Sequence, residues 1–226
     1  MNTEELEKII GYTFTTKIVL QESLTHRSYL NENPKWRFSH NERLEFLGDA
    51  VLELLTTEIL YHSYPDDDEG KMTALRASLV NYVMLAQVAR DIGLEKFLLL
   101  SRGEAKDMGR AREVIIANAI EALIGALYLD GGYPAAKSFI EKFVMTHLDE
   151  VLADGSYKDA KSSLQEKTQA DQKMTPVYKV LEESGLDHRK TFVVGVFLGD
   201  KLIAEGKGLS KQDAETDAAK AALKNL

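Results

Sequence analysis

The sequence predicts two unlike units in one chain: an all-α unit, then a small α+β unit of order helix, three strands, helix (α-β-β-β-α). Three observations carry this. Apolar residues recur at helical spacing up to residue 152, alternation with a period of two appears only after residue 176, and a short polar, turn-forming tract at 153–158 separates the two patterns. The expected boundaries are therefore 1–152, a linker at 153–158, and 159–226.

In the first unit, 4–10 and 17–24 read as short helices. Residues 41–61 read as a long one, with Leu44, Leu47, Val51, Leu52, Leu55 and Ile59 on one stripe. Residues 69–91 follow as a single helix with Leu75, Leu79, Val83, Leu85 and Val88 inward and Gly93 as its stop. Segment 114–129 is apolar nearly all round and should be buried, 131–134 is a turn, and 135–152 is the last helix. In the second unit, 160–170 reads as a helix and 177–183, 190–198 and 201–207 as half-buried strands. Gly199-Asp200 supplies a tight turn between the last two. Ser210 is the expected N-cap of 211–225, whose Ala214, Ala218, Ala221, Ala222 and Leu223 form a small-residue packing face.

At 44% hydrophobic and 28% charged, the 226 residues suit a globular chain. There is no cysteine, so disulfides and thiolate zinc sites are excluded, and a reducing, cytoplasmic setting is expected. The acidic, polar start does not look like a secretory leader, and 114–129 is too short and, with Glu121, too charged for a membrane span, so no membrane partner is expected. The net charge of −8 argues against a polyanionic partner until it is divided: residues 1–158 hold 17 basic against 25 acidic side chains, residues 159–226 hold 11 of each.

That acid excess includes a pattern. Glu42, Glu45 and Asp49 fall at i, i+3 and i+7, on one face of a helix. Stacked acids repel by a few tenths of a kcal/mol per pair, roughly, so the helix gains from them only if a cation sits between. Carboxylate oxygens suit Mg²⁺. Asn118 and Glu121 are a second polar pair at i, i+3, and interrupt the most apolar helix of the chain; a carboxylate buried there needs a partner, or its pKa rises. On spacing alone two readings stay open. The three acids fit a metal site or a solvated face, and Glu121 fits a shared metal or an arginine such as Arg76 or Arg112.

Segment 41–52, Asn-Glu-Arg-Leu-Glu-Phe-Leu-Gly-Asp-Ala-Val-Leu, closely resembles the ribonuclease III signature. Leu24-Thr25-His26-Arg27-Ser28, Glu69-Gly70-Lys71-Met72 and the run 116–125 resemble further segments of that family, and the second unit resembles a double-stranded RNA-binding domain. The resemblance implies an all-α endonuclease domain acting as a homodimer, then an RNA-binding domain. Its products would carry 5′-phosphate and 3′-hydroxyl ends with short 3′ overhangs, from ribosomal RNA precursors and structured messengers. By position, Glu45, Asp49, Asn118 and Glu121 fall on the metal places, with Asp49 and Glu121 catalytic and Glu42 and Glu69 as supporting acids. The cofactor would be Mg²⁺, with Mn²⁺ as a substitute. Gln165, Glu166, His188, Arg189, Ser210, Lys211 and Gln212 fall on the RNA-contacting places, and Phe46 and Leu47 on the dimer interface. Two residues depart from the pattern: Asn118 stands where an aspartate is usual, and Gln212 where a lysine is usual. The alternative reading is a double-stranded RNA-binding protein with a weakened or silent nuclease site.

Overall fold

In the computed structural model, which describes residues 3–106, 109–155, 157, 160–185 and 190–225, the chain separates into two units, Met1–Tyr157 and Lys158–Leu226. The first holds α1 (Thr3–Ile10), α2 (Lys17–Ser23), α3 (Arg27–Glu32), α4 (Glu42–Ser63), α5 (Glu69–Val80), α6 (Tyr82–Asp91), α7 (Arg110–Phe139) and α8 (Leu148–Asp154). Short 3₁₀ turns occupy Leu94–Phe97 and Glu104–Lys106. The second holds α9 (Ala160–Gln172), β1 (Val177–Ser184), β2 (Thr191–Leu198), β3 (Lys201–Gly208) and α10 (Lys211–Asn225).

The first unit is built around α7. Six consecutive residues, Ala122 to Leu127, are buried, so the helix is covered all round there, as the unbroken apolar run dictates. The run 110–153 is long and apolar enough to cross a membrane by composition, but its burial in this core accounts for that character. α4 packs along α7 more extensively than any other pair of elements. α2 and α6 cover other parts of α7.

Local chemistry places the ends. Asp68 caps α5 by accepting from the Lys71 N–H at 2.8 Å. The expected single helix 69–91 is broken at Asn81, whose backbone is extended and whose side chain accepts from the N–H groups of Val83 and Met84. Asparagine satisfies two orphan donors at a new helix start, which offsets the lost turn. The expected turn at 131–134 is a kink at one residue: Gly132 takes φ 68° and Pro134 sits in the first turn beyond it, where a proline costs no hydrogen bond. Past the kink the helix loosens into a π turn at Ile140–Val144 and then tightens into a 3₁₀ turn at Met145–His147. α8 then runs to Asp154, past the expected end at 152.

The second unit is an antiparallel meander, β1-β2-β3, with α10 against β3 and β2 and α9 against α10. The Gly199-Asp200 turn joins β2 to β3, with Gly199 at φ 60°. The core is small: Ala160, Leu164, Val196, Ala218, Ala219 and Ala222. Alanines let α10 lie directly on the strand. A Cβ at Gly206 would stand 2.0 Å from the Ala218 nitrogen, and one at Gly208 2.4 Å from that of Ala214. Gly206→Ala should therefore destabilise this unit by about 3 kcal/mol, the upper range for an overpacked core. Urea unfolding followed in this unit checks it, and an unchanged midpoint would show that α10 stands further off.

Candidate active site

The acids meet where α4 crosses α7. A Cβ at Gly48 would lie 1.7 Å from the carbonyl oxygen of Glu121, and a Cβ at Gly125 2.3 Å from that of Leu44. Only glycine on each helix allows backbones this close. Glu45 and Asp49, flanking Gly48, are thereby set against Asn118 and Glu121, which precede Gly125. These two glycines are functional residues that the sequence reading passed over. Their signal was a glycine inside each of two strongly apolar helices, where it costs about 1 kcal/mol against alanine and so calls for a packing reason.

The four side chains differ in setting. Glu45 is half-buried and its Oε1 accepts from the Asn118 Nδ2 at 2.8 Å. Burial pushes its carboxyl up, the Asn118 hydrogen bond opposes this, and Glu42 and Asp49 add repulsion. Glu121 is pushed up to about 7, first by burial and then by the charges of Asp49 and Glu45. Neither arginine considered for it is its partner: Arg76 is bound to Glu53 at 2.9 Å, and Arg112 lies 3.6 Å from Glu95. Among the described residues Glu121 has no cationic neighbour within ion-pair distance. An aspartate at 118 would face Glu45 as a further like charge, so Asn118 replaces a repulsion with an attraction.

The donor set fits a hard divalent cation in kind: three carboxylates, and an amide whose oxygen is left free by the bond from its nitrogen. The side chains do not close on one point. Among the described residues no three His, Cys, Asp or Glu groups are gathered tightly enough to hold an ion as they stand.

The supporting acids fall differently. Glu42 opens α4 and pairs with Arg27 at 3.1 Å and more loosely with His40 at 3.8 Å. Glu69 is exposed in the first turn of α5, and no described hydrogen bond or ion pair joins it to the acids of α4 and α7. Phe46 projects outward, 83% exposed, whereas Leu47 is half-buried against the unit's own core. Leu54 and Tyr61, 59% and 64% exposed, continue the Phe46 stripe along α4. Their spacing of eight and seven residues was the overlooked signal.

In the second unit Gln165 and Glu166 are exposed on α9. Ser210 caps α10 as expected, its Oγ accepting from the Asp213 N–H at 3.1 Å, which leaves the hydroxyl proton free to donate. Lys211 and Gln212 are exposed in the first turn, with the Lys211 ammonium 5.8 Å from the Phe192 ring centre. His188 and Arg189 lie outside the described residues.

The raised Glu121 carboxyl has a measurable sign. Between the ordinary value of 4.5 and about 7, the folded chain holds a proton that the unfolded chain has lost. Stability therefore falls as pH rises through that window and levels off above it. In metal-free buffer Glu121→Gln should remove a fall on the order of 2 kcal/mol between pH 5 and 8, solvent screening included. Denaturant unfolding of both chains across that range checks it, and identical pH profiles would contradict the assignment.

Two family models cover the chain: ribonuclease-III-like over residues 16–148, and double-stranded RNA binding motif over residues 160–226. Ribonuclease 3 of Carboxydothermus hydrogenoformans is 45% identical over all of this chain and 96% of its own length. Ribonuclease 3 of Nitratiruptor sp. is 43% identical over 99% of this chain and 96% of its own. A solved nuclease domain of the Campylobacter jejuni enzyme, described for flexibility in a region involved in dimer formation, aligns with a TM-score of 0.58 and 39% identity. That alignment covers 64% of this chain and 97% of the other. With a helical nuclease unit, an RNA-binding unit and relatives matched end to end, the chain belongs to the ribonuclease III family of double-strand-specific endoribonucleases.

Proposed function

We propose that this chain hydrolyses double-stranded RNA with Mg²⁺ held by Glu45, Asp49, Asn118 and Glu121, leaving 5′-phosphate and 3′-hydroxyl ends with short 3′ overhangs. Mn²⁺ would substitute. Ribosomal RNA precursors and structured messengers are the substrates, met in the cytoplasm. The observation that carries the metal reading is the set of carboxyl groups at the α4–α7 crossing with no ion pair to any described cation, above all the half-buried Glu121 with its raised carboxyl. When bound, a divalent ion there supplies charge neutralisation and an activated water. The chain's own residues do the rest. Glu121 holds a proton near neutral pH when no cation competes for it. Asn118 orients Glu45 through its amide. The exposed first turn of α10, with the Ser210 hydroxyl and Lys211, receives RNA phosphates at a helix N-terminus. The exposed α4 stripe of Phe46, Leu54 and Tyr61 is the surface on which two copies pair, each bringing one acidic site to the duplex.

The second reading, an RNA-binding protein with a weakened nuclease, is favoured by one observation: the Asn118 amide occupies a Glu45 oxygen and adds no charge. One assay separates them. A perfectly paired RNA of ~30 base pairs, longer than the ~16 that such a binding domain spans, is incubated with Mg²⁺ or with EDTA. The chain should cut with Mg²⁺ and not with EDTA, Glu121→Gln should lose on the order of a hundredfold or more, and Asn118→Asp should need less Mg²⁺ for half-maximal rate. Binding without cleavage by the parent chain, with cleavage restored by Asn118→Asp, would establish the second reading.

A further inference from the structure

The segment Leu24-Thr25-His26-Arg27-Ser28 is tied down on every side. The Leu99 N–H donates to the Leu24 carbonyl at 2.8 Å, and the His26 N–H to the Leu99 carbonyl at 3.0 Å. The Asn41 N–H donates to the Thr25 carbonyl at 2.9 Å, which fixes the segment to the start of α4. The His26 ring caps α3 by accepting from the Ser28 N–H at 3.3 Å, and the Ser28 Oγ accepts from the Ser101 N–H at 3.0 Å. Thr25 is fully buried. The residue that all this presents is Arg27, the first of α3, 3.1 Å from Glu42 and with 67% of its side chain exposed.

A surface ion pair contributes about 0–1 kcal/mol and does not need so braced a backbone. A guanidinium has five donors, and one contact to Glu42 leaves others open to solvent. The loop that follows carries Lys35 and Arg37, both exposed and, among the described residues, without an ion pair. They alternate with Trp36 and Phe38, whose rings pack edge-on in a row with Tyr29. Arg27 adjoins Glu42, one helical turn from Glu45, on the more acidic part of the chain. An RNA strand brought to the acids needs cations beside them.

We propose that Arg27, supported by Lys35 and Arg37, grips backbone phosphates of the strand that is cut, and that the Thr25–Ser28 bracing exists to hold it there. This rests on the nuclease reading above. The test is kcat/KM for the paired RNA as a function of salt, for the parent chain, Arg27→Gln, Arg27→Lys, and Arg27→Gln combined with Glu42→Gln. Thermal unfolding runs alongside, and the exposed Arg27 variants should unfold with the parent. Arg27→Gln should lower kcat/KM about tenfold and flatten its salt dependence by roughly one phosphate contact, a slope change of about 0.7–0.9. Arg27→Lys should keep the parent slope, and the double variant should stay as impaired as Arg27→Gln or more so. An unchanged kcat/KM and slope in Arg27→Gln overturns the proposal. So does full recovery in the double variant, which would leave Arg27 only the role of neutralising Glu42. A parent chain that leaves the duplex intact sinks the nuclease reading and this one with it, whereas a parent that cuts as well as Arg27→Gln sinks only this one.

Discussion

Two helices touching backbone to backbone is the constraint on which the first unit depends. Gly48 on α4 and Gly125 on α7 remove the side chains that would hold the helices apart, and the contact falls at the carbonyls of Glu121 and Leu44. The price is electrostatic: carboxylates from both helices are drawn together and two of them, Glu45 and Glu121, are half-buried, so Glu121 is pushed up to about 7. The apolar remainder of α7 offsets this. Each buried leucine or isoleucine on it contributes roughly 1.5–3 kcal/mol, so a few of them outweigh the repulsion. Folding tolerates a locally unfavourable cluster because the same helix supplies the core.

The second unit uses the same device for a different end. Gly206 and Gly208 let α10 lie on β3, and the alanine face of α10 is matched to that distance. The close approach fixes where α10 begins. Ser210 caps that start while keeping its hydroxyl proton free, and Lys211 follows in the first turn. In both units small residues set where the neighbouring polar side chains stand.

Much of this was legible in the sequence. The two-unit division, the strands and their turn, the Ser210 cap and the pairing of 41–52 with 116–125 follow from periodicity, turn chemistry and resemblance. What escaped did so for physical reasons. Asn81 divides the 69–91 stripe because an Asn that caps a new helix looks the same in sequence as one riding on a helix surface. Gly132 kinks the chain at a single residue, which a run of turn-forming residues cannot distinguish from a loop. α3 has too few residues to show a period. Gly48 and Gly125 were part of the motifs, but glycine in a helix is read first as a loss of propensity; its value appears only when a second backbone lies against it. The partner of Glu121 could not be settled from spacing, because Arg76 and Arg112 are engaged by Glu53 and Glu95 only in the folded chain.

The central claim is that the α4–α7 crossing gathers carboxylates whose repulsion a divalent cation relieves. Calorimetric unfolding of the whole chain at neutral pH against increasing Mg²⁺ tests it without any RNA. A ligand that binds only the folded site stabilises it with the logarithm of its concentration, about 2.7 kcal/mol at a hundred times its dissociation constant. The account predicts that the transition of the first unit rises with Mg²⁺ while that of the second stays in place, and that Asp49→Asn starts higher and rises less. A first-unit transition that ignores Mg²⁺, or rises equally in Asp49→Asn, would contradict it.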